Sequence, residues 1–374
     1  HDKWLCMMYP RLKLLQKLLA DDGVIFISID DTECSNLILI CNEIFGASNF
    51  VANVSWQRTY SPRNDSKGIV SEVEHLVVFS KNPGWQPNKL PRTEAMDSRY
   101  KNPDNDVAPW KSSDAFAPGA ATHQGMVYAI QHPFTGEMLY PSNGRCWRYQ
   151  QSSMLEYMQG WCNYRLENLH DEKERARVCG IDESAVRKDV LAIVLEEPLE
   201  VSAAKAQKVY NRGRWPGFYF TKGGYGGIAR KTYLENVGGR LPTNLWMYEE
   251  TGHTDEAKKE LISLFGGRSP FDTPKPTRLL DFVLKVAGTS ETLMLDSFAG
   301  SGTTAHAVLN ANKADNGNRH FILIEMMDYA DSITAERVKR VIKGYGEGKN
   351  AVEGTGGNFS FYDLGEPLLV GDCL

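Results

Sequence analysis

The stretch over residues 292–325 constrains the fold of this chain more than any other segment. TLMLDS is typical of a buried strand, FAGSG of a turn, TTAHAVLNAN of a helix, and HFILIE of a second strand that ends on Glu325. Gly300 and Gly302 permit a tight turn and a close approach of the backbone to a ligand. The helix directs its free N–H groups and its positive dipole end at that turn. This order of elements predicts an α/β sheet that binds a ligand at the carboxyl ends of its strands.

The residues around the glycines narrow the class of ligand. Glu325, at a strand end, can accept the hydroxyls of a ribose, which favours an adenosine-like cofactor. The looser form of the dinucleotide motif G-x-G-x-x-G accepts Ala305 at its third position, so spacing alone leaves NAD open. Asp296 and Phe298 precede the glycines, and a carboxylate there would repel a pyrophosphate but suit a sulfonium. The alternative is that Asp296 stabilises a turn and the glycines only shape a loop.

One segment, DSFAGSGTTAHAV, resembles the cofactor motif of the S-adenosylmethionine-dependent amino methyltransferases of DNA. The segments WLCMMYPRLKLLQKLLADDGVIFISIDD, EIFGASNFVANVSW, TPKPTRLLDFVLKVA and GNRHFILIEM resemble the modification subunits of type III restriction systems. The resemblance implies an α/β fold, a Rossmann-like S-adenosylmethionine-dependent methyltransferase sheet with an inserted α+β target-recognition domain. It also implies methyl transfer from S-adenosylmethionine to the exocyclic amino group of adenine, with double-stranded DNA, a restriction subunit and a second copy of the chain as partners.

The resemblance also assigns a set of cofactor-binding residues. They are Asp296, Phe298, Ala299, Gly300, Gly302, Thr303, Glu325 and Lys275. Lys275 is expected to pair with the carboxylate at the methionine end of the cofactor, and the alternative is a solvated lysine before a helix that begins at Pro276. Phe298 is expected to pack against either the cofactor or the core. His306, in the helix after the glycine turn, is expected to be structural.

One feature departs from the family. The catalytic tetrapeptide Asp-Pro-Pro-Tyr does not occur in this sequence. In relatives it lies upstream of the segment that matches Trp4 to Asp30, so we expect it before His1, expect the chain to be a fragment, and leave its catalytic residues unassigned. Three alternatives stay open: the same chemistry on cytosine, a DNA-binding specificity module without catalysis, and an NAD-dependent oxidoreductase.

Composition bounds the class of protein. The chain has 374 residues, of which 42% are apolar and 24% charged, which is enough for two domains. Its uninterrupted apolar runs are of strand length, which predicts no membrane span. Seven cysteines at scattered spacings form neither a disulfide framework nor a zinc motif, which indicates a cytoplasmic, reduced protein without a metal site.

The order of patterns predicts a divided sheet domain. The first part, 1–85, should contain a helix that ends with Gly23 as its C-cap, the strand VIFISIDD, a helix over 33–44, and the strands FVANVSW and HLVVFSK around a loop at 61–68. Turn signals and aromatic residues then indicate an inserted target-recognition domain over 86–270. The α/β pattern returns over 271–345 with a helix at 277–287 and the cofactor motif, and 346–374 form a C-terminal extension.

A basic stretch lies inside the predicted insert. Residues 201–240 carry eight basic side chains against one acid, although the net charge of the chain is −5. Aromatic residues and glycines alternate with these cations, a pattern that suits phosphate contacts along a groove. The predicted DNA-binding residues are Arg212, Arg214, Lys222, Arg230 and Lys231. The competing interpretation is a solvated loop with a few core aromatics. A base modified in a duplex must also be flipped out, which suits a second domain.

Overall fold

The computed structural model describes residues 1–61 and 68–365. Within them the α-helices are α1 Asp2–Leu18, α2 Cys34–Phe45, α3 Glu94–Asp97, α4 Gln151–Gln159, α5 Glu172–Cys179, α6 Leu199–Arg212, α7 Tyr248–Thr251, α8 Thr254–Phe265, α9 Thr277–Ala287, α10 Thr303–Asp315 and α11 Glu336–Lys343. A π-helical segment, Ala330–Ala335, precedes α11. No helix in these ranges has the length and apolar character needed to cross a membrane.

The strands complete a mixed α/β fold. They are β1 Val24–Ile29, β2 Phe50–Gln57, β3 Val73–Ser80, β4 Trp110–Asp114, β5 Phe116–Pro118, β6 Ile130–Gln131, β7 Met138–Leu139, β8 Arg145–Trp147, β9 Tyr164–Glu167, β10 Ala192–Leu195, β11 Phe218–Phe220, β12 Ile228–Tyr233, β13 Leu245–Trp246, β14 Leu293–Asp296, β15 His320–Leu323, β16 Gly344–Tyr345 and β17 Val352–Glu353.

The chain divides into two compact units. The first contains residues 1–90 and those from 240 onward, and the second contains Pro91–Gly239. The sequence predicts an insert over 86–270, whereas residues 86–90 and 240–270 belong to the first unit. There α8 packs Leu264 against Ala305 of α10 and Val338 of α11. That the second unit is a target-recognition domain stays a prediction.

Helices cover both faces of the four-stranded sheet in the first unit. The strand order is β1-β3-β2-β13, with β3 antiparallel to both neighbours and β2 parallel to β13. Val77 and Phe79 of β3 pack in a cluster with α1 and α2. Leu76 and Val78, which alternate with them, pack in another cluster with Phe282 of α9. A strand buried on both faces needs a continuous apolar run, which explains the composition of β3.

The predicted strand, glycine turn, helix and second strand are confirmed. Strands β14 and β15 are parallel, from Leu293 opposite His320 to Asp296 opposite Leu323, and α10 connects them. Within the described residues these two strands form a sheet of their own, with no ladder to the four-stranded sheet. A single Rossmann-like sheet therefore stays a prediction.

The other local predictions for the first unit are confirmed within about two residues, except the end of α1. This helix ends at Leu18, and Leu19 is already extended at φ −66° and ψ 132°. Gly23 is not a C-cap, because its N–H donates to the carbonyl of Ala20 at 2.9 Å in a turn that leads into β1. Residues 62–67 of the predicted loop lie outside the described residues.

The second unit is an α+β arrangement around an aromatic core. Its sheets have the strand orders β7-β6-β10-β9, β11-β12-β4 and β5-β8. The side chains of Trp147, Trp161, Phe218 and Phe220 are each 1% exposed. The aromatic residues of this part of the sequence therefore build its core, as the competing interpretation of the basic stretch expected for some of them.

Candidate functional site

The glycine turn between β14 and α10 is held by close packing. Gly300 and Gly302 have φ angles of +52° and +77°, in the left-handed region that favours glycine. A β-carbon on Gly300 would lie 3.3 Å from the ring of Phe271, and one on Gly302 would lie 3.0 Å from the carbonyl oxygen of Thr334. Contacts within the fold therefore require these glycines, which confirms the predicted tight turn, and close approach of a ligand stays a prediction.

The carboxylate of Asp296 braces this turn. Its Oδ1 accepts the N–H of Phe298 at 3.2 Å, and its Oδ2 accepts the hydroxyl of Thr304, in the first turn of α10, at 2.6 Å. Both bonds lie within the loop and the helix start. This is the turn-stabilising role that the sequence analysis held as an alternative, and binding of a charged ligand by Asp296 stays a prediction.

Glu325 joins the end of β15 to the glycine turn. Its Oε2 accepts the N–H of Gly300 at 2.8 Å, and its Oε1 accepts those of Met326 and Met327 at 2.9 and 3.1 Å. An ionised carboxylate has roughly four acceptor positions, and the hydroxyl of Tyr329 is a further neighbouring donor, so a ribose hydroxyl would compete with Tyr329 for the fourth position of the half-buried Glu325. The carboxylate predicted to bind a ribose thus lies in direct contact with the predicted glycine turn.

Phe298 forms an apolar surface beside the turn. Its ring is half exposed, and the guanidinium of Arg11 lies 5.5 Å from the ring centroid. Arg11 also reaches the sulfur of Met326 at 3.7 Å, and Met326 is itself 76% exposed. Of the two alternatives for Phe298, packing in the core is wrong, because the ring faces solvent.

The side chain of Lys275 is occupied within the first unit. Its ammonium pairs with the carboxylate of Glu74 and lies 5.0 Å from the ring centroid of Trp56. The ammonium is therefore paired, with the side chain 32% exposed, and its three donors leave room for a ligand carboxylate beside Glu74, so that contact stays a prediction. The carbonyl of Lys275 accepts the hydroxyl of Thr303 at 3.2 Å, which places this segment against the start of α10.

A buried arginine lies under the glycine turn, and the sequence analysis missed it. Arg337 of α11 is fully buried. Its guanidinium donates to Ser301 Oγ at 3.1 Å, Thr303 Oγ1 at 2.9 Å, Glu260 Oε2 at 3.0 Å, Thr277 Oγ1 at 3.0 Å and His306 Nδ1 at 3.1 Å. We call this set the arginine cluster. Thr303 belongs to it, so the predicted cofactor residue Thr303 directs its hydroxyl into the protein.

His306 is a member of this cluster and has a structural environment. Burial and the charge of Arg337 lower the pKa of His306 to about 3, so the ring is neutral near pH 7. A neutral Nδ1 can accept a hydrogen bond from Arg337. This geometry agrees with the structural role expected from the sequence.

Comparison with known proteins decides the family. A family model described as DNA methylase matches residues 1–336. The chain belongs to this DNA methylase family. The resemblance drawn from DSFAGSGTTAHAV and its supporting segments is therefore confirmed.

The curated relatives include modification subunits and a type II enzyme. The type III restriction-modification enzyme StyLTI Mod subunit of Salmonella typhimurium is 31% identical over 91% of this chain and 45% of its own length. The EcoPI Mod subunit of Escherichia phage P1 is 28% identical over 87% of the chain and 45% of its own length. The type II methyltransferase M.KpnI of Klebsiella pneumoniae is 27% identical over 87% and 67%. The chain thus spans about half the length of the type III relatives it matches.

The predicted DNA-binding residues differ in exposure. Lys231 is buried, and its ammonium is bound by the carboxylates of Asp104 and Asp106. It is also 2.8 Å from the carbonyl oxygen of Trp215. Lys231 is therefore not available to a phosphate, because its charge is already matched inside the second unit.

The remaining predicted cations are accessible. Arg212, Arg214 and Lys222 are exposed and Arg230 is half-buried. Within residues 1–61 and 68–365, no salt bridge involves any of these four side chains. They therefore stay predicted DNA contacts.

Proposed function

We propose that this chain is the methyltransferase part of a type III modification enzyme, which moves a methyl group from S-adenosylmethionine to the exocyclic amino group of adenine in DNA. The observation that carries the proposal is the hydrogen bond from Gly300 to Glu325, which brings a strand-end carboxylate to the glycine turn of a DNA methylase. The printed names of the type III relatives support the modification role and a restriction subunit as partner.

The residues present at the turn fit an adenosine-type cofactor. The exposed ring of Phe298 offers a surface for a purine, and Glu325 offers acceptor capacity for ribose hydroxyls. Asp296 adds negative charge beside a sulfonium, and the backbone of Ala299 and Gly300 forms the floor. S-adenosylmethionine, when bound, supplies an already activated methyl group, so the protein's task is mainly alignment.

Methyl transfer itself is the decisive test of the proposed reaction. Because this sequence lacks Asp-Pro-Pro-Tyr, transfer should be measured in a longer protein that contains this chain and that tetrapeptide. We expect labelled methyl groups from S-adenosylmethionine to appear on the amino group of adenine in duplex DNA. Label on cytosine, or no label in a protein that binds the cofactor and DNA, would overturn the assignment to adenine.

Changing Glu325 to Gln should weaken binding of S-adenosylmethionine. The amide loses the charge-assisted bonds to a ribose, which corresponds to about 1.5–3 kcal/mol of binding free energy. Calorimetry on the folded variant gives this number, and thermal melting checks that the turn still forms. We prefer this change to Gly302→Val, because a side chain at Gly302 would collide with Thr334 regardless of any ligand. Exposed Glu353 serves as the control, and Glu353→Gln should bind as wild type does.

Removing the exposed cations of the second unit should weaken DNA binding and flatten its salt dependence. In the variant Arg212→Ala, Arg214→Ala, Lys222→Ala, each lost phosphate contact should reduce the slope of log K against log salt by about 0.9. Fluorescence anisotropy with a labelled duplex over a range of salt concentrations measures the slope. Affinity for S-adenosylmethionine should not change, since these residues belong to the other unit.

A matched control removes the same charge from the first unit. The exposed residues Lys258, Lys259 and Lys349 are suitable for it. If their joint change to Ala lowers the slope as much as the variant in the second unit does, only net charge matters, and the basic stretch is a solvated surface.

A further inference from the structure

The second unit contains an open cavity of about 300 Å³. Its lining includes Tyr149, Tyr157, Gly217, Phe218, Arg230 and Tyr233. Arg230 of β12 lies directly opposite Phe218 of β11 in the antiparallel pair, so these two side chains share one face of the sheet. Lys231 also lines the cavity, with its ammonium bound by carboxylates, so the cavity combines one unmatched cation, Arg230, with an aromatic wall.

Three rings form the aromatic wall. Phe218 lies 5.0 Å from Tyr157 and 5.4 Å from Tyr149, measured between ring centroids. Tyr157 is 37% exposed, whereas Phe218 is buried beneath it. A β-carbon on Gly217 would lie 3.2 Å from Cε1 of Tyr157, so glycine lets the ring approach the strand. The wall is a set of mutually packed rings that opens to solvent at Tyr157.

Arg230 is the polar group of the cavity with unused donors. Its Nε is buried and has no hydrogen-bond partner within the described residues. Lys231, the next residue on the strand, is bound by two carboxylates. The two terminal nitrogens of Arg230 are neither buried nor hydrogen-bonded among the described residues, so they are the donors that an acceptor entering the cavity from outside the chain can reach.

The composition of the cavity favours a nucleobase over a phosphate. Lys231, Asp104 and Asp106 together carry one more negative than positive charge, and that excess beside Arg230 would repel a phosphate but not a neutral base. A base gains from stacking on tyrosine, and arginine pairs in bidentate fashion with O6 and N7 of guanine. A concave pocket can enclose a base only when that base has left the helical stack.

We propose that this cavity receives an extrahelical guanine base of DNA, with Arg230 donating to the O6 and N7 edge and Tyr157 packing against the ring face. The inference rests on the proposed function in that DNA is the source of the base. It adds a base-reading site in the second unit, and it changes the role predicted for Arg230 from phosphate contact to base contact.

The test uses the full chain and four duplexes that differ only in one unpaired nucleotide. The unpaired nucleotide is guanine, 7-deazaguanine, which lacks the N7 acceptor, adenine or thymine. Fluorescence anisotropy should show the wild type binding the guanine bulge about tenfold more tightly than the other three, as expected for a bidentate pair. The ratio of the affinity for the guanine bulge to the affinity for the other three duplexes should fall to about one in Arg230→Lys and in Tyr157→Ala. Arg165→Lys, which changes an exposed arginine of the same unit outside the cavity, should keep the ratio.

The outcomes separate this inference from the proposed function. Equal binding of all four duplexes by the wild type, or a preference that persists in Arg230→Lys, overturns the guanine site and leaves DNA methylation standing. If no duplex binds, the proposed function fails, and binding of deoxyguanosine monophosphate then tests separately whether the cavity holds a guanine base. Quenching of protein fluorescence in the wild type but not in Arg230→Lys supports the site, and no quenching in the wild type overturns it.

Discussion

Replacing Arg337 with Met is expected to lower the free energy of unfolding of the first unit by about 3–5 kcal/mol, because it removes one partner of a buried ion pair. The guanidinium is fully buried and lies 3.0 Å from the carboxylate of Glu260. Without it, the hydroxyls of Ser301 and Thr303 lose their donor directly under the glycine turn. The carboxylate of Glu260 then keeps only the hydroxyl of Thr277 as a donor among the described residues. Urea unfolding followed by circular dichroism measures the loss, and calorimetry should show weaker binding of S-adenosylmethionine in the same variant.

Arg340 provides a matched control three residues further along α11. Its side chain is partly exposed, pairs with Glu336 one turn away and donates to the carbonyl of Leu264 at 3.0 Å, so Arg340→Met should cost about 1–2 kcal/mol, less than Arg337→Met. The double variant Arg337→Met, Glu260→Gln should recover part of the lost stability, since no unpaired carboxylate remains. Equal unfolding midpoints for Arg337→Met and Arg340→Met would show that the arginine cluster does not stabilise the fold.

The parts of the fold that the sequence predicted well are those whose signals are local. Strand β14, the glycine turn, helix α10 and strand β15 follow one another without interruption, and each has its own periodicity or turn residue. Helix α9 was predicted at its observed bounds, since Pro276 precedes it and Gly288 follows it. The position of Glu325 at the same edge as the glycine turn followed from topology, because strand ends of a parallel pair meet at one edge, but its hydrogen bond from Gly300 was not predicted.

The parts that the sequence did not predict depend on partners far apart in the chain. ERVKRVIK, the sequence of α11, is typical of an exposed charged helix, yet its Arg337 binds Glu260, which lies 77 residues away. Lys231 was counted with a basic surface, but its partner Asp104 is 127 residues away. Counting charges within a segment cannot show whether a cation is neutralised by a distant carboxylate.

If Lys231 is a buried, paired cation and not part of a basic surface, Lys231→Met should destabilise the second unit by about 3–5 kcal/mol. The ammonium and the carboxylate of Asp104 are both 0% exposed, and Asp106 is 8% exposed. Removing the cation leaves two carboxylates facing each other in the interior. Tryptophan fluorescence during urea unfolding measures the loss of stability, because the indole N–H of Trp110 and the backbone N–H of Trp215 both donate to Asp104.

Two comparisons test whether loss of the ion pairs of Lys231 with Asp104 and Asp106 causes the loss of stability in Lys231→Met. Exposed Lys222 is the control, and Lys222→Met should change stability by less than about 0.5 kcal/mol.

The pH dependence of stability is the second comparison. Burial raises the pKa of Asp106, but hydrogen bonds from Lys231 and Tyr233 outweigh this effect and leave that pKa below its ordinary value. A carboxyl whose pKa is lowered by folding contributes fully above its unfolded pKa of about 4, and the contribution is lost as pH falls through the folded value. The wild type should therefore lose more stability than Lys231→Met between about pH 5 and the lowered pKa, and parallel curves would contradict this account of Lys231.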